Sequence, residues 1–267
     1  MAKKIRYWIS INCFFILGSI PVLLFGDTLN PDSLENIVQS GAHDSVKMVA
    51  LQNLIQYYIH QNTDKAAAKA LQMFQVAEKT GNLTSKAEAL RLMAACDHRK
   101  GNFASAVEQF KKAATWFAKL NNQEGYAASL SNLGSSYLNL GQTDSAIKYQ
   151  LKALDIFDQL GLEQKAAASL NNLGGIYINR GDYSMALQMF LKSLKIKEKL
   201  NDAIGIANTL NNIGMLYDSW QKNEEALNYY NKALSKYSEL GNLKGIANTT
   251  NNIGVVYKNQ GDYKKAL

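Results

Sequence analysis

A repeat of 40 residues runs through this chain and restricts its fold more than any other feature. Ser131-Asn132-Leu133-Gly134-Ser135-Ser136-Tyr137 returns as Asn171-Asn172-Leu173-Gly174-Gly175-Ile176-Tyr177. It returns again as Asn211-Asn212-Ile213-Gly214-Met215-Leu216-Tyr217 and as Asn251-Asn252-Ile253-Gly254-Val255-Val256-Tyr257. A fixed period of this size describes a stacked solenoid, in which each unit buries its apolar face only against its neighbours. Arrays of this kind usually present surfaces to other proteins, so the period points away from catalysis before any single residue is weighed.

Each unit has a second half. Gly101, Gly141, Gly181 and Gly261 follow the first segment, and five residues later comes Ala106, Ala146, Ala186 or Ala266, with Ala226 and Ala66 in register. Fifteen residues beyond the Ala stands Gly81, Asn121, Gly161, Asn201 or Gly241. The pattern predicts two helices per unit, A over roughly 127–139 and B over roughly 144–160. Gly or Asn after B fits a left-handed helix stop, and Asn102, Asp182 and Asp262 fit N-caps of B. The recurrent Gly inside A costs about 1 kcal/mol against Ala, so it needs a steric reason: a close crossing of A and B, with the small Ala of B on the other side.

Leu-Gly, Tyr three residues later, Gly-Asp-Tyr and then Ala resemble the signature of the tetratricopeptide-repeat (TPR) family, in a 40-residue variant of its usual unit. Asp97 in place of the Tyr and Gln221 in place of the Gly depart from it. The resemblance covers residues 47–267 and implies an all-α, right-handed TPR superhelix (α-solenoid) of helix-turn-helix units. The units are 47–86, diverged and suited to an N-terminal cap, then 87–126, 127–166, 167–206, 207–246 and an incomplete 247–267. A leader spans 27–46. Because the last unit stops one turn into a B helix, the sequence reads as a fragment of a longer protein.

With Ala127 as position 1 of helix A, positions 4, 7, 8 and 11 share one face and form a core stripe: Leu130, Leu133, Gly134 and Tyr137. Positions 2, 5, 6, 9 and 13 lie opposite, where the family resemblance places a concave, ligand-binding surface. That side is rich in amides: Asn132, Asn171, Asn172, Asn211, Asn212, Asn251 and Asn252, with Asn139, Asn179, Asn208, Asn248 and Asn259. An amide donates and accepts, which suits the backbone of an extended peptide. Two readings stay open: the amides grip a peptide, or they bond to the next helix A and hold the array together. Arg91, His98 and Arg99 fall on the same side, either to receive a carboxylate or as a solvated basic face.

The chain carries a net charge of +7. Without Lys3, Lys4 and Arg6 it keeps 26 basic and 22 acidic residues, scattered rather than striped, so nucleic acid is not an expected partner. Residues 1–26 read as an export signal: a basic start, an uncharged stretch over residues 7–25, and Gly26 before Asp27. That stretch is also long enough to anchor the chain in a membrane. The expected location is periplasmic, or anchored in the inner membrane and facing the periplasm; a cytosolic adaptor is the alternative. Cys13 lies within the apolar stretch, and Cys96 reads as a packed core residue. His43, His60 and His98 are isolated, and no nucleophile, phosphate-binding or metal motif is present, so no enzyme activity, metal or cofactor is expected. The expected partner is a protein or peptide. An export signal followed by such repeats resembles the sensor regions of Bacteroidota TPR signalling proteins, which implies sensory input to a kinase, cyclase or transcription regulator as a second function.

Overall fold

The 40-residue register resolves into alternating helices in the computed structural model, which describes residues 30–266. The basic and apolar segment of residues 1–26 lies outside them. The elements are α1 (Pro31–Gln39), α2 (Asp44–Tyr58), α3 (Thr63–Lys79), α4 (Leu83–Arg99), α5 (Phe103–Lys119), α6 (Gln123–Asn139) and α7 (Thr143–Gln159). They continue as α8 (Glu163–Arg180), α9 (Tyr183–Lys199), α10 (Ala203–Ser219), α11 (Asn223–Glu239), α12 (Leu243–Asn259) and α13 (Tyr263–Ala266). From α2 onward the even helices are A and the odd helices B. No strand occurs among the described residues. The chain divides within α8 into two compact units, one ending at Ser169 and the other beginning at Leu170.

Helices A begin about four residues earlier than the apolar pattern indicates. Asn82, Asn122, Asp202 and Asn242 cap them, their side chains accepting the backbone N–H three residues on. These caps follow directly on Gly81, Asn121, Asn201 and Gly241, all at positive φ as the helix-stop reading requires. The backbone there closes a paired C-terminal motif: Asn82 N–H donates to Ala77 C=O and Gly81 N–H to Glu78 C=O. Of the expected caps of B, Asp182 and Asp262 accept from Met185 and Lys265, while the Asn102 side chain makes no cap bond. The segment set aside as a leader contains α1, whose Leu34 and Val38 are buried, and its Lys69–Glu35 ion pair ties it to α3.

In the first unit the core is formed by Leu51, Leu54, Ile55, Leu92, Phe110, Leu133 and Phe157. Gly134 faces B there: a Cβ would stand 3.0 Å from the Ala146 carbonyl oxygen. In the second unit the space beside the glycine is taken by a ring four residues after the Ala. A Cβ on Gly174 would lie 2.5 Å from Phe190, and one on Gly214 2.5 Å from Tyr230. The close crossing is therefore present, and in this unit it is the notch into which an aromatic ring of B fits.

Candidate functional site

Most of the amides expected to face a groove are buried, and in the second unit they bond between successive A helices. Asn171 is 0 % exposed, Asn172 2 % and Asn132 1 %, while Asn211 and Asn212 reach 8 % and 6 %. Asn252 is half-buried and Asn251 exposed. The bonding in the second unit repeats. Asn171 Oδ1 accepts from Thr209 Oγ1 at 3.5 Å and from Asn212 Nδ2 at 3.1 Å. One period on, Asn211 Oδ1 accepts from Thr249 Oγ1 at 3.1 Å and from Asn252 Nδ2 at 3.3 Å. Position 5 of one A helix is thus the acceptor for positions 3 and 6 of the next. A helical wheel separates the core side of a hairpin from the opposite side, but it does not contain the neighbouring A helix that covers that side. Of the two readings, the one in which amides bond to the next helix describes Asn171, Asn211, Asn212 and Asn252. In the first unit α6 is buried without a break from Ala127 to Ser136.

The basic residues near the N-terminal end separate. Arg91 is 1 % exposed and is neither a carboxylate receptor on an open face nor a solvated base. Its guanidinium holds Glu88, one turn back, through Nε at 2.8 Å and Nη2 at 2.5 Å. A buried guanidinium needs such a partner, because desolvating it unpaired costs several kcal/mol. His98 is buried against α6, its Nδ1 2.8 Å from Ser136 Oγ, with its ring edge-on to Phe103. Burial, with a smaller contribution from Arg99, holds its pKa down at about 4. Arg99 is exposed. Cys96 is buried as expected, and burial pushes its thiol up to about 11.

The amide ladder also carries a cation that sequence reading passed over. Lys197 of α9 occupies the column that holds Phe117, Phe157 and Tyr237 in α5, α7 and α11 and Ala77 in α3, and it is 5 % exposed. Its Nζ donates to Thr209 Oγ1 at 2.7 Å and to the Gly205 carbonyl at 3.4 Å. Burial pulls its pKa down to about 8, against a small opposing pull from Asp202. The 40-residue column, compared residue by residue, carries the signal: a lysine among aromatics and an alanine.

Nothing among the described residues gathers three metal-ligating side chains. His43 caps α2 by accepting from Ser45 N–H, and no described helix is long and apolar enough to cross a membrane. The polar chemistry is that of amides in pairs, buried toward α8 and accessible on α12.

A family model described as tetratricopeptide repeat matches residues 85–159, 125–199, 165–239 and 205–267. Among solved structures, BtubC (BKLC) from P. vanneervenii is 24% identical, with a TM-score of 0.65, over 77% of this chain and 87% of that one. The apo form of RapI is 16% identical, with a TM-score of 0.69, over 88% of this chain and 84% of that one. A STAND signal-transduction ATPase with a tetratricopeptide repeat sensor from Pyrococcus horikoshii is 17% identical, with a TM-score of 0.71, over 88% of this chain and 36% of that one. These likenesses describe the fold. No curated protein sequence matches the chain.

Proposed function

The chain belongs to the tetratricopeptide-repeat family, and from that premise we propose that it is a non-catalytic scaffold that binds an extended segment of a protein partner. The reading rests on one observation: position 2 of the A helices stays open within the array, since Asn208 is half-buried with the next A helix, α12, in place. At positions 5 and 6, by contrast, Asn171 and Asn172 are shut in and Asn211 and Asn212 are nearly so. The covered amides set the stacking of the array. Asn208, whose Oδ1 accepts from Tyr237 Oη at 2.6 Å, and Asn248 at the same position one period on present amides to a partner. Each peptide bond gripped in this way contributes on the order of 0.5–1.5 kcal/mol, so several must act together.

The test compares two double variants. Asn208→Ala with Asn248→Ala should weaken capture of the partner from a native extract and lower the melting temperature less than the second pair does. Asn171→Ala with Asn211→Ala should lower the melting temperature. Capture that survives the first pair undiminished would end the peptide reading for these amides.

Export is the second part of the proposal. It is supported by the order of residues 1–26, basic then apolar then Asp27. Mass spectrometry of protein taken from the cell envelope should find a mature start near Asp27. An intact Met1 or Ala2 in the cytosol would refute export. The same leader, placed ahead of 40-residue repeats, favours the sensory input of a receptor as the second reading of function.

A further inference from the structure

The turn between α10 and α11 departs from the repeat at three consecutive residues. Where the other A–B turns read Leu140-Gly141-Gln142 or Arg180-Gly181-Asp182, this one reads Trp220-Gln221-Lys222. Gln221 takes the left-handed conformation, φ 60°, that Gly101, Gly141, Gly181 and Gly261 occupy at the equivalent place. A side chain there carries a strain of about 1–2 kcal/mol, and that cost recurs at sites kept for function.

The departure extends a ring pair that also occurs earlier in the array: Tyr137 and Tyr149 stack at 5.4 Å, and here Trp220 and Tyr183 join the equivalent Tyr217 and Tyr229. Trp220 stacks on Tyr217 at 6.1 Å and on Tyr183 at 5.7 Å, and Tyr217 stacks on Tyr229 at 5.4 Å. All four rings are half-exposed. The face of Trp220 already holds a cation: Lys222 Nζ lies 4.1 Å from the ring centroid. Aromatic faces attract cations through the ring quadrupole, tryptophan most strongly.

One carboxylate reaches the stack, and two more stand close to it in the sequence. Asp218 stands half-buried two residues before Trp220, at a position where other A helices carry Leu138 and Ile178. Glu224 and Glu225 are exposed on the first turn of α11, and the charge of Glu225 reaches the Tyr217 hydroxyl. None of the three has an ion-pair partner among the described residues.

We propose that the Trp220 turn is a docking surface for a lysine- or arginine-bearing segment of a partner protein, with Lys222 as a built-in occupant that the incoming cation displaces. Rings that accept a cation and unpaired carboxylates beside them fit a basic side chain and disfavour an acidic one. The proposal rests on the reading of the chain as a partner-binding scaffold and adds a contact at a turn, separate from Asn208 and Asn248.

The experiment titrates the full chain with fluorescein-labelled hexalysine and, separately, hexaglutamate, read by anisotropy. The net charge of +7 repels a basic probe globally, so binding of hexalysine reports a local site. Hexalysine should bind and hexaglutamate should not. Trp220→Ala should weaken hexalysine about tenfold and Trp220→Phe less, while Lys222→Ala should tighten it several-fold. Glu224→Gln with Glu225→Gln should weaken it and steepen the loss less with added salt. Melting curves show which variants are folded, and Trp220→Phe and Lys222→Ala carry the test if Trp220→Ala is not. Equal binding of both probes, or binding unmoved or weakened in Lys222→Ala, would overturn the proposal. Unchanged hexalysine binding in the Asn208/Asn248 variant separates this surface from the amide reading, so either can fail alone.

Discussion

Replacing Lys197 by Met should make the protein more stable at neutral pH, and the gain should fade as the pH rises. The ammonium is 5 % exposed and has a hydroxyl and a carbonyl as its neighbours on α10. Its pKa falls from 10.5 to about 8 on folding, which corresponds to about 3 kcal/mol of destabilisation by the charged form. The sign follows from proton counts. Between pH 8 and pH 10.5 the unfolded chain binds more protons at this lysine than the folded chain, so stability rises with pH through that window. The full penalty applies below pH 8. Met keeps the alkyl packing and loses the bond to Thr209, whose hydroxyl retains the Gly205 carbonyl at 2.9 Å. The net gain should be about 2–3 kcal/mol at pH 7, and about 2 kcal/mol less than that at pH 9.5. Urea unfolding followed by circular dichroism, for both proteins at pH 7, 8.5 and 9.5, gives the difference directly and cancels the tyrosines shared by both. A Met variant less stable than the parent at pH 7, or a difference independent of pH, would show that Lys197 is not held against its charge.

Gly174→Leu should lower stability by roughly 1–3 kcal/mol or more, because the new side chain meets the Phe190 ring, and calorimetry will show it. Gln221→Gly should raise stability by about 1 kcal/mol by relieving a left-handed side-chain residue; an unchanged melting curve would mean the turn is not strained. His98 loses protons on burial, so stability should fall as the pH drops from about 6.5 toward 4. His98→Leu should flatten that limb of an acid-denaturation curve.

The hairpins were legible because glycine, alanine and aromatic residues recur at fixed offsets, and each offset answers a local demand: a stop, a notch, a ring to fill it. The A-helix caps were also legible in retrospect, since Asn82, Asn122, Asp202 and Asn242 stand one residue past the stops. What a wheel of one helix leaves out is the next helix. It put Asn171 and Arg91 on an outer face, and the structure covers both, one with α10 and the other with its own Glu88. The Glu88–Arg91 spacing of three residues was present in the sequence as an ion-pair signal. Lys197 and Trp220 escaped notice for a different reason: the register drew attention to what repeats, and these residues break it.

The amide bonds of the second unit all run one way, from a later helix to an earlier one: Asn212 to Asn171, then Asn252 to Asn211. Both of these junctions ask for the same three side chains, Asn, Thr and Asn, at the same positions. A gene that gains or drops one whole period therefore returns a chain whose remaining junctions are still matched. Cutting out residues 211–250 would bring Asn252 into line with Asn171 as donor and acceptor. Length in such an array is free to change by duplication or loss, and selection can act on how many hairpins are present without first having to repair how they join.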